Sequence, residues 1–230
     1  MTTLIAVTLD LQSLDAGAAA ARALAAFDAL EPGGRVEVAA GASLGPLLDR
    51  LQAERAGQFE WSPLADGPGL FRVEIARRTA SGERSVTEAL GWDHDRLEEL
   101  EERAFEARAA GHFDEAKATY AAFALGLRRH IGFEEQLLFP EFEKRAGFPA
   151  DAGPTAMMRF EHREIESLLQ AIEGAIGDPK ANADALRANL HEILAGHNVK
   201  EERILYPGAD RLMSRDETDE LVRRIQAYRR

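Results

Sequence analysis

The chain has 230 residues, 45% of them hydrophobic and 30% charged, with a net charge of -12 and no cysteine. A chain of this length and apolar content can bury a core in one or two domains, while its acidity disfavours nucleic acid and anionic membranes and attracts cations. Without thiols, disulfides, thiolate catalysis and cysteine-bound haem or iron–sulfur clusters are excluded, so any transition metal must sit on His, Asp or Glu.

In chain order, Thr3 to Leu9 is β-branched and apolar and suits a buried strand. Its start has neither a basic region nor a long apolar stretch, and no later run reaches the roughly 18 apolar residues of a membrane span, so a cytoplasmic location is expected. The alanine-rich segment from Ala16 to Leu30 predicts a helix, stopped by Glu31, Pro32, Gly33 and Gly34. Arg35 to Val38 alternates as a strand does, and Leu44, Leu47, Leu48 and Leu51 have helical spacing. Phe59–Trp61 and Phe71–Ile75 predict a hairpin around Asp66, Gly67, Pro68 and Gly69. The order β-α-β-α-β-β predicts a small two-layer α+β domain over 1–78. Polar residues over 79–84 read as a linker.

From 85 to 230 the pattern is helical. Ser85 and Glu88 form a capping-box signature for a first long helix ending near Ala110, before Gly111. A second runs from about Phe113 to Arg145 and stops at Gly147. Pro154 opens a third, which ends near Gly177, Asp178 and Pro179, and a fourth spans about Asn182 to Tyr206. Ser214 and Glu217 predict a cap for a short final helix. Four long helices with short connections imply an up-down-up-down bundle.

This region contains an internal repeat. His130, Glu134, Glu135, Leu138, Phe139 and Pro140 on the second helix correspond to His197, Glu201, Glu202, Leu205, Tyr206 and Pro207 on the fourth. More weakly, Asp93, His94, Leu97, Glu98 and Leu100 on the first helix correspond to Glu161, His162, Ile165, Glu166 and Leu168 on the third. Residues four apart on a helix lie about 40° apart on one face, so each His-x-x-x-Glu pair can reach one metal ion or two adjacent ones. Apolar neighbours, among them Leu90 and Leu97 beside His94 and Phe123 and Leu127 beside His130, turn these pairs toward the bundle interior. One such pair alone is most simply a surface interaction worth roughly 0.3 kcal/mol. Here each predicted long helix carries one, and four of the six histidines fit the pattern. His112 lies in a turn. His191 precedes His197 by six residues, about 240° around the helix, and points elsewhere.

These residues resemble the hemerythrin-like (HHE cation-binding) family over about 85–210. The resemblance implies two non-haem iron ions, oxo- or hydroxo-bridged, with His94, His130, His162 and His197 as terminal ligands and Glu134 and Glu201 as bridges. Oxygen-carrying members place a histidine four residues after the one on the third helix; this chain has Glu166 there, which is similar to iron-centre repair and iron-sensing relatives. Glu166 is either a direct ligand or a group that orients one, and Asp93 and Glu161 are candidates to accept a hydrogen bond from a ligand imidazole. The implied function is binding or sensing of O2, NO or redox state. The alternatives are an enzyme or repair factor, which would reduce peroxide or NO or deliver iron to damaged iron–sulfur centres, and a structural bundle stapled by iron. A homodimer or a redox partner is compatible with each. Residues 1–78 resemble a small uncharacterised bacterial domain with a sulfur-carrier-like fold, often found beside hemerythrin-like domains. Relatives carry an Asp-His-Asp-Pro stretch where this chain has Gly41 to Pro46, so a site made by those residues is not expected, and sulfur carriage is excluded by the missing cysteine.

Overall fold

A computed structural model describes residues 7–67, 69–79 and 84–229. The chain divides into two compact units, Met1–Glu83 and Arg84–Arg230. The first residues of the expected opening strand, Pro68 of the hairpin turn and residues 80–83 of the expected linker lie outside the described residues.

The N-terminal unit follows the order β1 (Val7–Asp10), α1 (Ala16–Asp28), β2 (Arg35–Ala40), α2 (Gly45–Glu54), β3 (Phe59–Gly67) and β4 (Leu70–Arg77). The sheet order is β1-β2-β4-β3, with β1 parallel to β2 across the α1 crossover and the remaining pairs antiparallel. Asp15 caps α1 by accepting from the Gly17 and Ala18 amides. The hairpin is longer than the short apolar runs predict. Its irregularity falls between Pro63 and Ala65, on edge strand β3, where a residue without an N–H is tolerated. Helix residues Leu24, Phe27, Leu47, Leu48 and Leu51 pack on Val36, Val38, Trp61 and Ile75 to form an apolar core.

The C-terminal unit contains α3 (Val86–Ala109), α4 (Phe113–Phe133), α5 (Phe139–Ala146), α6 (Pro154–Ala175), α7 (Ala183–Lys200), α8 (Tyr206–Leu212) and α9 (Arg215–Ala227). The Ser85–Glu88 capping box opens α3, and Asp210 of α8 adds a second anchor by accepting from the Val86 and Thr87 amides. At the other end of the bundle Arg108 donates to the carbonyls of Ala175, Ile176, Asp178 and Ala181. It thereby satisfies acceptors that the end of α6 leaves without helical donors. The last helix, α9, packs on its own bundle: Leu221 and Ile225 join a core with Val86, Leu90, Phe133 and Met213. Among the described residues no helix is long and apolar enough to cross a membrane.

The second and fourth predicted helices are each interrupted by one wide π turn. Glu134–Leu138 joins α4 to α5, and Glu201–Leu205 joins α7 to α8. The Phe139 amide bonds the Glu134 carbonyl, and the Tyr206 amide bonds the Glu201 carbonyl, each five residues back. Pro140 and Pro207 follow immediately. A proline cannot donate to the carbonyl four residues before it and its ring collides with that carbonyl, so widening the preceding turn lets the helix continue.

Candidate metal centre

The repeat brings six of the seven candidate residues together in the bundle core. His94, His130, His162, His197, Glu134 and Glu201 are all buried, and both glutamates have no exposed side-chain surface. Two groups result. Glu134, His162, His197 and Glu201 offer atoms lying within 4.8 Å of one another, as do His94, His130 and Glu201.

Glu201 belongs to both groups, and Glu134, a member of the first, also approaches His130 of the second. Glu134 Oε1 is 3.6 Å from His130 Nε2, and its Oε2 is 3.4 Å from His162 Nε2. Glu201 Oε1 is 3.0 Å from His197 Nε2, and its Oε2 is 3.4 Å from His94 Nε2. Each carboxylate thus presents one oxygen to each histidine pair.

Every ligand-like imidazole is held from behind by another carboxylate. Asp93 accepts from His130 Nδ1 at 2.9 Å and Glu161 from His197 Nδ1 at 2.9 Å. Glu202 accepts from His94 Nδ1 at 2.7 Å and Glu135 from His162 Nδ1 at 2.8 Å. A carboxylate acceptor keeps a proton on Nδ1 and turns Nε2 toward the centre of the cluster. The π turns matter here. Consecutive residues Glu134 and Glu135 reach the two ring nitrogens of His162, and Glu201 and Glu202 reach those of His94.

The electrostatics of the cluster call for positive charge. Burial alone would lower the His130 pKa, but Glu134 and Asp93 outweigh it and raise it to about 10. At His162 burial is likewise outweighed, by Glu134 and Glu135, and the value is raised to about 9. His197 is raised in the same way by Glu201. Glu134 remains ionised against the effect of burial because His130 and His162 hold its pKa well below the usual carboxylate range. Burial also opposes charge on Asp93, yet Arg96 and His130 hold it low. Glu134 Oε2 and Glu201 Oε1 face His162 Nε2 and His197 Nε2 at 3.4 and 3.0 Å, but Glu134 Oε2, Glu201 Oε1 and His162 Nε2 are buried without a well-aligned hydrogen bond. Such atoms are costly unless a cation sits among them, and nitrogen and carboxylate-oxygen donors suit iron, zinc or manganese.

Glu166 is not among the gathered residues, which corrects the expectation that it serves the site. It lies four residues after His162, but its carboxylate turns outward to Arg128 Nε and Nη2, at 3.0 and 3.0 Å, and accepts from Gln170 at 2.8 Å. The oxygen that faces His162 Nε2, at 3.4 Å, comes instead from Glu134. Glu98 is exposed, His112 is exposed beside Glu115, and His191 is exposed near Glu101. A cavity of about 150 Å³ adjoins His94, with Leu97, Phe123, Leu127 and Leu194 on its walls and Glu98, His191 and Asn198 among its polar lining.

Three participants escape sequence reasoning: Glu135, Glu202 and Tyr206. The doubled glutamates of the repeat were the available signal for the first two. Tyr206 is fully buried, and its hydroxyl donates to Glu134 Oε1 at 2.6 Å and lies 3.1 Å from Glu201 Oε2. Burial, then Glu134 and Glu201, push its pKa well up, so the phenol keeps its proton unless a cation reverses the local field.

Residues 85–209 match the family described as Hemerythrin HHE cation binding domain, and residues 8–77 match one described as an uncharacterized conserved protein (DUF2249). Searches for similar curated proteins and solved structures return no match.

Proposed function

Because the chain belongs to the hemerythrin HHE cation-binding domain family, we propose that it holds two non-haem iron ions in this cluster and binds or senses O2, NO or redox state in the cytoplasm. The observation that carries this reading is the sharing of Glu134 and Glu201, each offering one oxygen to each histidine pair. His94 and His130, with Glu134 Oε1 and Glu201 Oε2, would hold one ion. His162 and His197, with Glu134 Oε2 and Glu201 Oε1, would hold the other. Iron on such donors supplies reversible electron exchange and a place for a diatomic ligand.

The chain's own residues do the rest. Asp93, Glu161, Glu135 and Glu202 fix the imidazole rings. Leu97, Phe123 and Leu127 give the cavity beside His94 an apolar wall, which admits a small neutral molecule more readily than an ion. One feature favours the enzyme or repair reading instead: Glu98 and His191 line the same cavity and can relay the protons that reduction of peroxide or NO consumes.

Metal analysis of the full chain, with absorption spectra before and after exposure to O2 and to NO, tests the proposal. Two irons per chain and a spectral response to either gas are expected. A protein that retains no iron after anaerobic loading would overturn it, and sustained consumption of peroxide or NO would move the assignment to the enzyme reading.

A further inference from the structure

Tyr206 and Phe139 occupy corresponding places in the repeat: each follows its shared glutamate by five residues and precedes a proline. Each ring lies beside an imidazole, Tyr206 tilted by 37° with its centroid 5.8 Å from that of His94 and Phe139 stacked at 10° with its centroid 5.7 Å from that of His162. Each half of the cluster is therefore flanked by the aromatic ring from the matching repeat position, and one of the two rings carries an oxygen.

That oxygen touches every donor of its half. It is 2.6 Å from Glu134 Oε1, 3.1 Å from Glu201 Oε2, 3.3 Å from His130 Nε2 and 3.4 Å from His94 Nε2. Ligand atoms at right angles around an ion about 2.1 Å away lie about 3.0 Å apart. The hydroxyl thus has the spacing of a donor standing over four others. A phenol that only tethered Glu134 from outside would approach that carboxylate and not both imidazoles.

Resting on the di-iron reading above, we propose that Tyr206 is itself a metal ligand, its phenol oxygen completing the His94/His130 position and making the two metal positions unlike. The His94/His130 position then has five protein donors: two imidazoles, one oxygen from each shared glutamate and the phenol oxygen. Its counterpart has the same set without the phenol, because Phe139 has no donor atom. As the metal–oxygen bond forms, the O–H bond breaks and its proton goes to solvent, as happens when other protic ligands bind metals. Tyrosine oxygen is an established type of donor to ferric iron, and a ferric phenolate absorbs visible light by charge transfer.

The test uses the full chain, loaded anaerobically with a ferrous salt and then oxidised with ferricyanide. The expected result is a visible charge-transfer band whose excitation enhances tyrosinate ring vibrations in the Raman spectrum, with both signals lost in Tyr206→Phe while two irons remain bound. The bundle already accepts phenylalanine at the matching place in its other half, so this substitution leaves the packing intact. Tyr120 packs against Phe105 and Phe123, and Tyr228 against Phe133, so neither accounts for such a band. If Tyr206→Phe fails to hold iron, the Raman spectrum of the unaltered chain decides alone. Two bound irons without tyrosinate vibrations, or a band that survives in Tyr206→Phe, overturns the tyrosine assignment only; an unaltered chain that binds no iron overturns the di-iron reading with it.

Discussion

The His94/His130 half and the His162/His197 half of the cluster descend from one repeated pattern, and their differences are instructive. Both place two imidazoles around the same pair of glutamates, and both support each imidazole with an outer carboxylate. The supports differ. Asp93 is buried and bonded to Arg96, whereas its counterpart Glu161 pairs with Lys200 nearer the surface. The first half has a phenol and a cavity beside His94; the second has Phe139 stacked on His162. A repeated ligand pattern sets what both halves can hold, while single substitutions around it make their chemistry unequal.

The largest effect expected from breaking this arrangement is at the shared carboxylates. Glu134→Ala or Glu201→Ala should lose most of both metal equivalents, measured by metal analysis after anaerobic loading. Retention of one full equivalent would show that the glutamates are not shared. Next, His130→Ala and His162→Ala should each lose at least one of the two equivalents, from opposite halves, whereas His112→Ala and Glu166→Ala should keep both. Glu166→Ala should lower stability by less than about 1 kcal/mol, because the Arg128 pair it removes is partly solvated.

The outer carboxylates offer a finer comparison. Asp93→Asn and Glu135→Gln should each weaken metal affinity within the roughly 10–100-fold range of such supports. Asp93 should lie toward the upper end, since its side chain is 5% exposed against 36% for Glu135. Equal losses would mean that burial of the support does not matter. The smallest effect concerns pH. The His130 and His162 pKa values are raised to about 10 and about 9, so their stabilisation of the chelated protein is complete below the ordinary value near 6.5 and is lost as pH rises through 9 to 10. Metal competes with those same protons. Calorimetry should therefore show the melting-temperature gap between loaded and chelated protein widening from pH 7 to pH 10, and a constant gap would argue that these imidazoles do not exchange protons for metal.

Much of this was legible in the chain itself. Helical periodicity, the Ser85 and Ser214 caps and the glycine stops locate the helices of the bundle, because these are local properties of consecutive residues. The four histidines, with Glu134 and Glu201 and their apolar neighbours, likewise mark an inward-facing stripe, whereas Glu98, at the same spacing from His94, is exposed. The same rule of spacing failed at Glu166, where Arg128, from a helix distant in sequence, captures the carboxylate.

The amino-acid order by itself determined the two-unit organisation, the long helices and the placing of four histidines on apolar helix stripes, since each follows from residue type and spacing along one segment, whereas the choice of Glu134 and Glu201 among the four equally spaced glutamates rested on the family resemblance. Only tertiary structure decided how Glu134 and Glu201 divide their oxygens, which carboxylate stands behind each imidazole, and that the Tyr206 hydroxyl enters the cluster. These depend on distances between helices and on the wide turns ahead of Pro140 and Pro207, and a one-dimensional pattern carries no information about which side chains from separate helices meet.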